Sequence, residues 1–235
     1  MDQIPAPARE RLLYLMRTLE HTQEKILSSA QIEALTGWSS HTIRKDISYL
    51  NENEGVPVGS SSGYEKETLL PVIKKALGLN RKRKFCIVGL GRLGSAYLNL
   101  GNNRSGAMND ASGGATGGNS STAGGNPGIA MPDLDGFELA AGFDTNVNRI
   151  EILPSPVPLY PAFKMGEVIG RFEIEIALLC VPAAAAQTAA EKLAAAGIKG
   201  IVNFAPAGLK LPPEIAVRNV YITDDLRALA VKMSN

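Results

Sequence analysis

The feature that most constrains this chain is a glycine-rich turn, GLGRLG, at residues 89–94. It follows an apolar run at residues 85–88 and leads into a helical segment at residues 92–100. A strand, a turn with glycines at this spacing and a helix form the start of a Rossmann unit. In that unit the first glycine permits the tight turn, the second lets the backbone approach a pyrophosphate, and the third allows close packing of helix on strand. The candidate cofactor-binding residues of the turn are Gly89, Gly91, Arg92, Leu93 and Gly94.

A carboxylate at the end of the second strand tests this interpretation, because it binds the ribose hydroxyls and normally follows the turn by about 20 residues. Asp144 ends a predicted strand at residues 138–143, but it lies 55 positions after Gly89. Between them, residues 101–136 hold ten glycines among Asn, Ser and Ala, a composition that cannot offset its ordering entropy. We interpret them as a flexible insertion, without which the spacing is the usual one. Asp144 favours NAD(H) over NADP(H), and the nearby Arg149 weakens that preference slightly.

The chain beyond residue 84 alternates strands and helices. This order predicts a doubly wound, mostly parallel sheet with right-handed crossovers. The predicted strands are 85–88, 138–143, 156–160, 174–181, 200–204 and 217–222, and the clearest helix is 184–196. Val181 and Pro182, at the end of the fourth strand, are the remaining candidate cofactor contacts.

The first 80 residues are different and predict a winged helix-turn-helix. Helices are expected at 7–21, at 29–36, from Ser39 or Ser40 onward, and at 66–79. The turn between the second and third contains Gly37, as in a helix-turn-helix. Ile43 and Ile47 mark the buried face of the third helix, so that its polar face can reach bases or phosphates in a major groove. The candidate DNA-binding residues are Ser40, Arg44, Lys45 and Ser48 on that face, and Tyr64 at the end of a possible wing, 56–64.

Charge and composition limit the function and the location of the chain less strictly than the motifs do. Residues 1–84 hold 13 Lys and Arg against 10 Asp and Glu, whereas residues 85–235 hold 11 against 13, a small basic excess for a DNA-binding half. The basic run RKRK at 81–84 is either a solvated linker or a contact to DNA or cofactor phosphate. With two cysteines, no signal peptide and no apolar run long enough to span a bilayer, the expected location is the cytoplasm.

The residue types argue against an enzyme. Hydride transfer to a carbonyl generally needs a positioned proton donor, and the only histidines, His21 and His41, both precede the Rossmann part. Cys86 and Cys180, in the first and fourth predicted strands, are interpreted as small core residues, with a redox pair as the unsupported alternative. We expect no metal site and no catalytic residue. A bound dinucleotide would therefore act as a signal and not as a reactant.

Motifs along nearly the whole chain resemble one family. They are IRKDISY at 43–49, GLNR at 78–81 running into CIVGLGRLG at 86–94, FD at 143–144, ALLCVP at 177–182 with AQ at 186–187, and AGIKGIVNFAP at 196–206. In order and spacing, the insertion apart, they resemble the Rex family of redox-sensing transcriptional repressors. The resemblance implies a homodimer that exchanges a C-terminal helix, here 224–233. It also implies that NADH reorients the winged helices and releases operator DNA, that NAD+ competes and permits repression, and that Arg44 and Lys45 contact DNA.

One segment and two single positions depart from the family pattern. Residues 51–64 are acidic and then neutral, where family wings carry a basic residue and a GVGY turn, which weakens the expected minor-groove contact. Tyr221 replaces an acidic residue just before the exchanged helix. Leu100 replaces an aromatic residue after the first Rossmann helix. The last two positions belong to the family's coupling between cofactor and DNA.

The sequence therefore predicts a winged helix at 1–80, a Rossmann domain at 81–222 and a dimer-exchange helix at 223–235. The leading hypothesis is a homodimeric repressor that binds double-stranded operator DNA and senses the NADH/NAD+ balance. One alternative is a divergent regulator of the same architecture with a different or weak effector response. The other is an NAD-dependent dehydrogenase with an accessory N-terminal domain.

Overall fold

The computed structural model describes residues 4–54, 63–98 and 136–234, without the side chains of residues 51–54. The chain divides into two compact units, Met1–Lys82 and Arg83–Asn235. All of the predicted insertion except Gly136, most of the predicted wing, and Leu100 lie outside the described residues. Within the described part, no helix is long and apolar enough to cross a membrane.

Over its described residues, the first unit packs four helices beside a short antiparallel strand pair. The elements are α1 (Ala6–His21), β1 (Ile26–Leu27), α2 (Ser29–Thr36), α3 (Ser40–Glu54), β2 (Tyr64–Glu65) and α4 (Lys66–Ala76). One apolar cluster joins the helices, with Leu12, Leu19, Ile32, Ile47 and Leu69 fully buried. The helix-turn-helix predicted from the sequence is therefore held by a core of its own.

Local chemistry fixes the ends of α2 and α3. Ser28 begins α2 in a capping box with Gln31, and Gly37 ends it in the left-handed conformation, φ +75°. Ser39 caps α3, because its Oγ accepts a hydrogen bond from the Thr42 amide at 3.2 Å. Each boundary falls where the side chain or backbone freedom of one residue satisfies the helix end.

An ion pair between a buried carboxylate and a partly exposed arginine orients α3 against α1. Asp46 on α3 is 4% exposed and accepts two hydrogen bonds from the Arg11 guanidinium, at 2.6 Å and 2.8 Å. The bidentate geometry leaves neither carboxylate oxygen without a partner, which a buried charge requires. It therefore fixes the rotation of α3 and turns the opposite face outward.

In the part of the second unit that the structure describes, six strands form a parallel sheet with helices. Its elements are β3 (Arg83–Val88), α5 (Arg92–Leu98), β4 (Phe137–Asp144), α6 (Val147–Ile152), β5 (Leu159–Pro161), a 3-10 turn (Ala162–Lys164), α7 (Met165–Phe172), β6 (Ile176–Leu179), α8 (Ala183–Ala195), β7 (Gly200–Asn203), β8 (Ala216–Asn219) and α9 (Ile222–Met233). The strand order β5-β4-β3-β6-β7-β8 is that of a Rossmann fold. The predicted fold class is confirmed, and the exchange of α9 stays a prediction.

Several predicted boundaries were wrong. The strand predicted at 174–181 is only Ile176–Leu179, the four residues that pair with both β3 and β7. The strand predicted at 156–160 is shifted to Leu159–Pro161, beyond two prolines. The strand predicted at 217–222 ends at Asn219, and α9 begins at Ile222 rather than at 224, since the Asp224 amide already bonds the Tyr221 carbonyl.

Two further expectations at the end of the first unit need correction. The helix predicted to reach residue 79 ends at Ala76, because Gly78 is left-handed, φ +67°, and the Leu79 amide closes the helix on the Lys74 carbonyl. The basic run at 81–84 is not wholly a linker, since β3 already begins at Arg83. The Arg83 Nη1 atom lies 3.0 Å from Glu175 Oε2. The Arg83 guanidinium therefore forms an ion pair within the second unit, beside the start of β6.

Candidate functional site

A cavity of about 590 Å³ lies at the carboxyl ends of the central strands. This size is within the range of small-molecule sites, and the edge is where open α/β sheets bind ligands. Most of its lining is apolar. Of the predicted cofactor contacts, six line it: Gly89, Gly91, Leu93, Asp144, Val181 and Pro182. Arg92 is exposed and Gly94 is buried, and neither is part of the lining.

The three glycines of the turn have different surroundings. Gly89 has φ +91°, and a Cβ there would lie 2.7 Å from the Cys180 carbonyl oxygen. A Cβ on Gly94 would lie 1.9 Å from the Gly89 carbonyl oxygen, so only glycine lets α5 pack this closely. A Cβ on Gly91 would meet nothing within 4 Å. The backbone at Gly91 thus faces open space in the cavity, as approach to a pyrophosphate requires.

Asp144 is a buried carboxylate with three donors around it. Its Oδ2 accepts hydrogen bonds from the Leu90 amide at 2.7 Å and from Arg149 Nη1 at 2.9 Å, and its Oδ1 accepts one from the Asn146 amide at 2.8 Å. Burial alone would raise the pKa of Asp144, but these hydrogen bonds outweigh it and hold the pKa below its ordinary value. The group is therefore ionised at neutral pH and can accept ribose hydroxyls.

One wall of the cavity was missed by the sequence reasoning. Four residues of α8 face it at helical spacing: Ala185, Thr188, Ala189 and Lys192. Their i, i+3, i+4, i+7 periodicity was visible, but alanines carry no chemical signal, and Lys192 has the pattern of an ordinary exposed helix residue. Met165 and Phe204 also line the cavity and have no motif of their own.

The two cysteines have separate places. Cys86 is fully buried, and burial raises the pKa of its thiol to about 12, whereas Cys180 lines the cavity with a thiol pKa raised by burial to about 11. In the sheet register Cys86 stands opposite Ala177, so Cys180 lies three residues, about 10 Å, farther along. That separation is too large for a disulfide, and the redox-pair alternative is excluded in this geometry.

The predicted DNA-binding residues fall into two groups. Arg44 and Lys45 are exposed on α3, and Ser48 on the same helix donates its hydroxyl to the Lys45 carbonyl at 2.7 Å. Ser40 begins α3. Tyr64 lies apart from these residues in β2, opposite Leu27, and packs partly against the core. The structure gathers four of the five on α3 and leaves Tyr64 in the strand pair.

Glu33 on α2 is a charged neighbour of this surface that the sequence reasoning did not identify. Its carboxylate accepts hydrogen bonds from the Ser40 hydroxyl and, at 3.0 Å, from the Ser40 amide. The hydroxyl hydrogen bond, then the amide, and finally the charge of Arg44 lower the pKa of Glu33. A negative charge therefore stands at the start of α3, and both Ser40 donors are directed to it.

A buried amide joins the cavity edge to the start of α9. Asn203 is fully buried at the end of β7, directly before Phe204. Its Nδ2 lies 2.8 Å from the Ala207 carbonyl, 3.0 Å from Asn219 Oδ1 and 3.4 Å from the Tyr221 hydroxyl. The Tyr221 hydroxyl itself donates to the Ala207 carbonyl at 3.0 Å. Through these hydrogen bonds Tyr221, the residue directly before α9, is joined to the loop that follows Phe204.

A helix-turn-helix unit with exposed basic residues on its second helix, followed by a Rossmann unit with a nucleotide-sized cavity, defines a DNA-binding regulator that carries a nucleotide-binding domain. Residues 80–207 match the family model of the CoA binding domain, and residues 3–48 match that of a putative DNA-binding protein N-terminus.

The chain is 34% identical to the redox-sensing transcriptional repressor Rex of Thermus thermophilus, over 99% of this chain and 95% of that one. Two crystal structures of RSP, a Rex-family repressor, each align with a TM-score of 0.74. The complex with NAD+ and operator DNA is 26% identical and covers 98% of this chain and 92% of its own. The complex with NADH is 25% identical, and the alignment covers 99% of this chain and 95% of the RSP chain. The chain belongs to the Rex family of redox-sensing transcriptional repressors, which confirms the resemblance.

Proposed function

We propose that this chain is a transcriptional repressor that binds operator DNA through α3 and is released from it when NADH occupies the Rossmann cavity. The observation that carries the proposal is the convergence of Gly91 and Asp144 on one cavity, in a chain whose first unit exposes Arg44 and Lys45. The complexes of RSP, one with NADH and one with NAD+ and operator DNA, support it.

The residues around the cavity fit a dinucleotide. The open space at Gly91 suits a pyrophosphate, with Arg92, Leu93 and Gly94 beginning the helix whose first amides have no intrahelical partner. The ionised Asp144 suits a ribose diol. It would repel the 3′-phosphate on the ribose of coenzyme A, so the match to a CoA-binding model indicates the fold and not that ligand.

The apolar lining gives a reason why the two redox states bind differently. Cys180 follows β6 and Phe204 follows β7, on the opposite side of β3 from Asp144. Loss of a hydride makes the nicotinamide ring a cation in NAD+, whereas the ring is neutral in NADH. Because burial of a charge among apolar groups costs more than burial of a neutral ring, this part of the cavity favours NADH. A ligand that prefers one conformation shifts the population toward it.

We assign the chain a regulatory and not a catalytic role. Among the described residues that line the cavity, the exposed Lys192 on α8 is accompanied by no histidine and no tyrosine that could complete a proton-donating pair for a carbonyl. We expect the protein to act in the cytoplasm, where NAD(H) and DNA are both present. The dehydrogenase alternative predicts NADH consumption with carbonyl substrates, which an absorbance assay would detect.

Two substitutions with opposite effects test the function. Gly91→Val fills the open space at the turn and should weaken NADH binding at least about tenfold while operator binding is kept, since a Cβ there touches nothing. Lys45→Ala should weaken operator binding by about 1–3 kcal/mol and leave NADH binding unchanged. Gel shifts on a palindromic A·T-rich operator at low salt, with and without NADH, measure both.

The outcomes separate the alternatives. Operator binding by the wild-type chain that NADH does not change would favour the divergent regulator. Absence of any operator binding at low salt would overturn both regulator hypotheses. Loss of NADH and DNA binding together in Gly91→Val would mean that the turn serves the fold instead of the ligand.

A further inference from the structure

We propose that Arg149 sets how strongly this cavity discriminates between dinucleotides with and without a 2′-phosphate on the adenosine ribose. The inference rests on the proposed function, because it takes the adenosine ribose to lie against Asp144. It concerns a side chain that lines the cavity and is paired with that carboxylate.

The acceptor capacity of Asp144 is almost used up. A carboxylate oxygen accepts about two hydrogen bonds. Oδ2 already receives the Leu90 amide and Arg149 Nη1, and Oδ1 receives the Asn146 amide. One acceptor position remains, whereas a ribose diol offers two hydroxyl groups. Both hydroxyls can bind Asp144 only if one present donor leaves.

Arg149 is the donor that can leave. The other two donors are backbone amides, of the glycine-rich turn and of the residue that caps α6. Arg149 is the third residue of α6, held by its own amide 3.2 Å from Asn146 Oδ1, and its side chain is 42% exposed. Water can solvate a guanidinium this exposed when it leaves the pair, and the buried Asp144 keeps its two backbone amide donors. The guanidinium can therefore turn away from Oδ2 without moving the helix that carries it.

The displaced guanidinium stays beside the ribose, which makes its effect depend on the ligand. With a 2′-hydroxyl, Arg149 competes with the ribose for Oδ2. With a 2′-phosphate, Asp144 repels the ligand and Arg149 offsets that repulsion, because a guanidinium binds phosphate through two parallel hydrogen bonds. Removing Arg149 should thus act in opposite directions on NADH and NADPH.

The test is a comparison of dissociation constants in the full chain. Titration of the wild type and Arg149→Ala with NADH and with NADPH, followed by nucleotide fluorescence, gives four constants. In Arg149→Ala we expect the dissociation constant for NADPH to rise about tenfold or more, and that for NADH to stay unchanged or fall. Arg149→Lys keeps the charge without the planar fork and should lie between the two.

Arg171→Ala is the matched control. Arg171 is an exposed arginine of α7 whose guanidinium lies over the Phe172 ring, outside the cavity lining, so its loss should leave the NADPH to NADH ratio unchanged. Asp144 keeps two backbone donors in Arg149→Ala, and thermal melting of the ligand-free protein checks the fold. Should that variant unfold, Arg149→Gln retains an uncharged donor for Oδ2.

A ratio in Arg149→Ala within twofold of the wild type, or an equal rise in Arg171→Ala, would overturn this inference alone. Failure of the wild-type chain to bind NADH would overturn the proposed function and this inference with it.

Discussion

At the scale of single residues, Glu33 changes the electrostatics of the helix-turn-helix. The start of a recognition helix usually offers its amide and a hydroxyl to a DNA phosphate. Here both donors of Ser40 are bonded to a carboxylate, which also lies near Arg44. A negative charge thus lies at the start of the helix that we propose to bind DNA, where it would oppose the attraction of Arg44 and Lys45 for phosphates.

Glu33→Gln should therefore raise DNA affinity. Removal of one negative charge beside Arg44 is expected to strengthen binding roughly two- to fivefold at low salt, for operator and unrelated DNA alike, and the gain should fade as salt screens it. Fluorescence anisotropy with both DNAs over a salt series measures this. Glu10→Gln, an exposed change on α1, is the control. Equal binding by Glu33→Gln would contradict the repulsion, and weaker binding would show that Glu33 supports the DNA contact by holding Ser40.

At the scale of elements, the amide of Asn203 connects β7, β8 and α9. Two N–H donors serve three nearby oxygens, and the Oδ1 atom accepts the Ala205 amide at 3.0 Å. Because Asn203 is fully buried, water cannot replace these partners. The loop carrying Phe204 and the start of α9 are thereby held by the same side chain.

Asn203→Ala should lower the free energy of unfolding by about 1–3 kcal/mol, since it leaves the Ala205 amide without its acceptor. Asn219→Ala, which removes one partner at an exposed position, should cost less, roughly 1 kcal/mol. Urea unfolding of the three proteins, monitored by circular dichroism, gives the comparison. Equal losses in the two variants would mean that burial at Asn203 adds nothing.

Features that are defined by residue spacing along the chain could be predicted from the sequence. The turn at 89–94 and Asp144 could be assigned to one site because the insertion was left out of their spacing, and both lie at the cavity. Their role in binding stays a prediction. Contacts between different elements could not be predicted: Glu33 meets Ser40 across the turn between α2 and α3, and Asn203 meets Tyr221 across 18 positions. Strand ends were also missed, because β6 pairs with β7 over only four residues and a strand ends where its neighbour does.

At the scale of the whole molecule, the last helix, α9, exposes an apolar face. Ile222, Leu226, Leu229 and Met233 recur along α9 at intervals of four and three residues, and each is more than half exposed. That spacing aligns them on one face. We infer that a second copy of the chain covers this face, in line with the homodimer that the sequence resemblance implied.

Leu229→Asp should therefore weaken self-association. A charge in the middle of the apolar face opposes its burial, and the dimer dissociation constant is expected to rise at least about tenfold. Sedimentation velocity over a range of protein concentrations measures it, with Lys232→Ala, outside the four-residue stripe, as the control. A wild-type chain that is monomeric at all concentrations, or a variant that associates as well as the wild type, would contradict the inference.

The apolar face of α9 also has a consequence for gene dosage. An association that covers it obeys mass action, so the paired fraction rises with the total number of chains. If only the pair binds an operator with two half-sites, repression depends on how many copies each cell holds as well as on NADH. Cell growth dilutes those copies, and the response threshold would then shift with the growth rate at a constant NADH level.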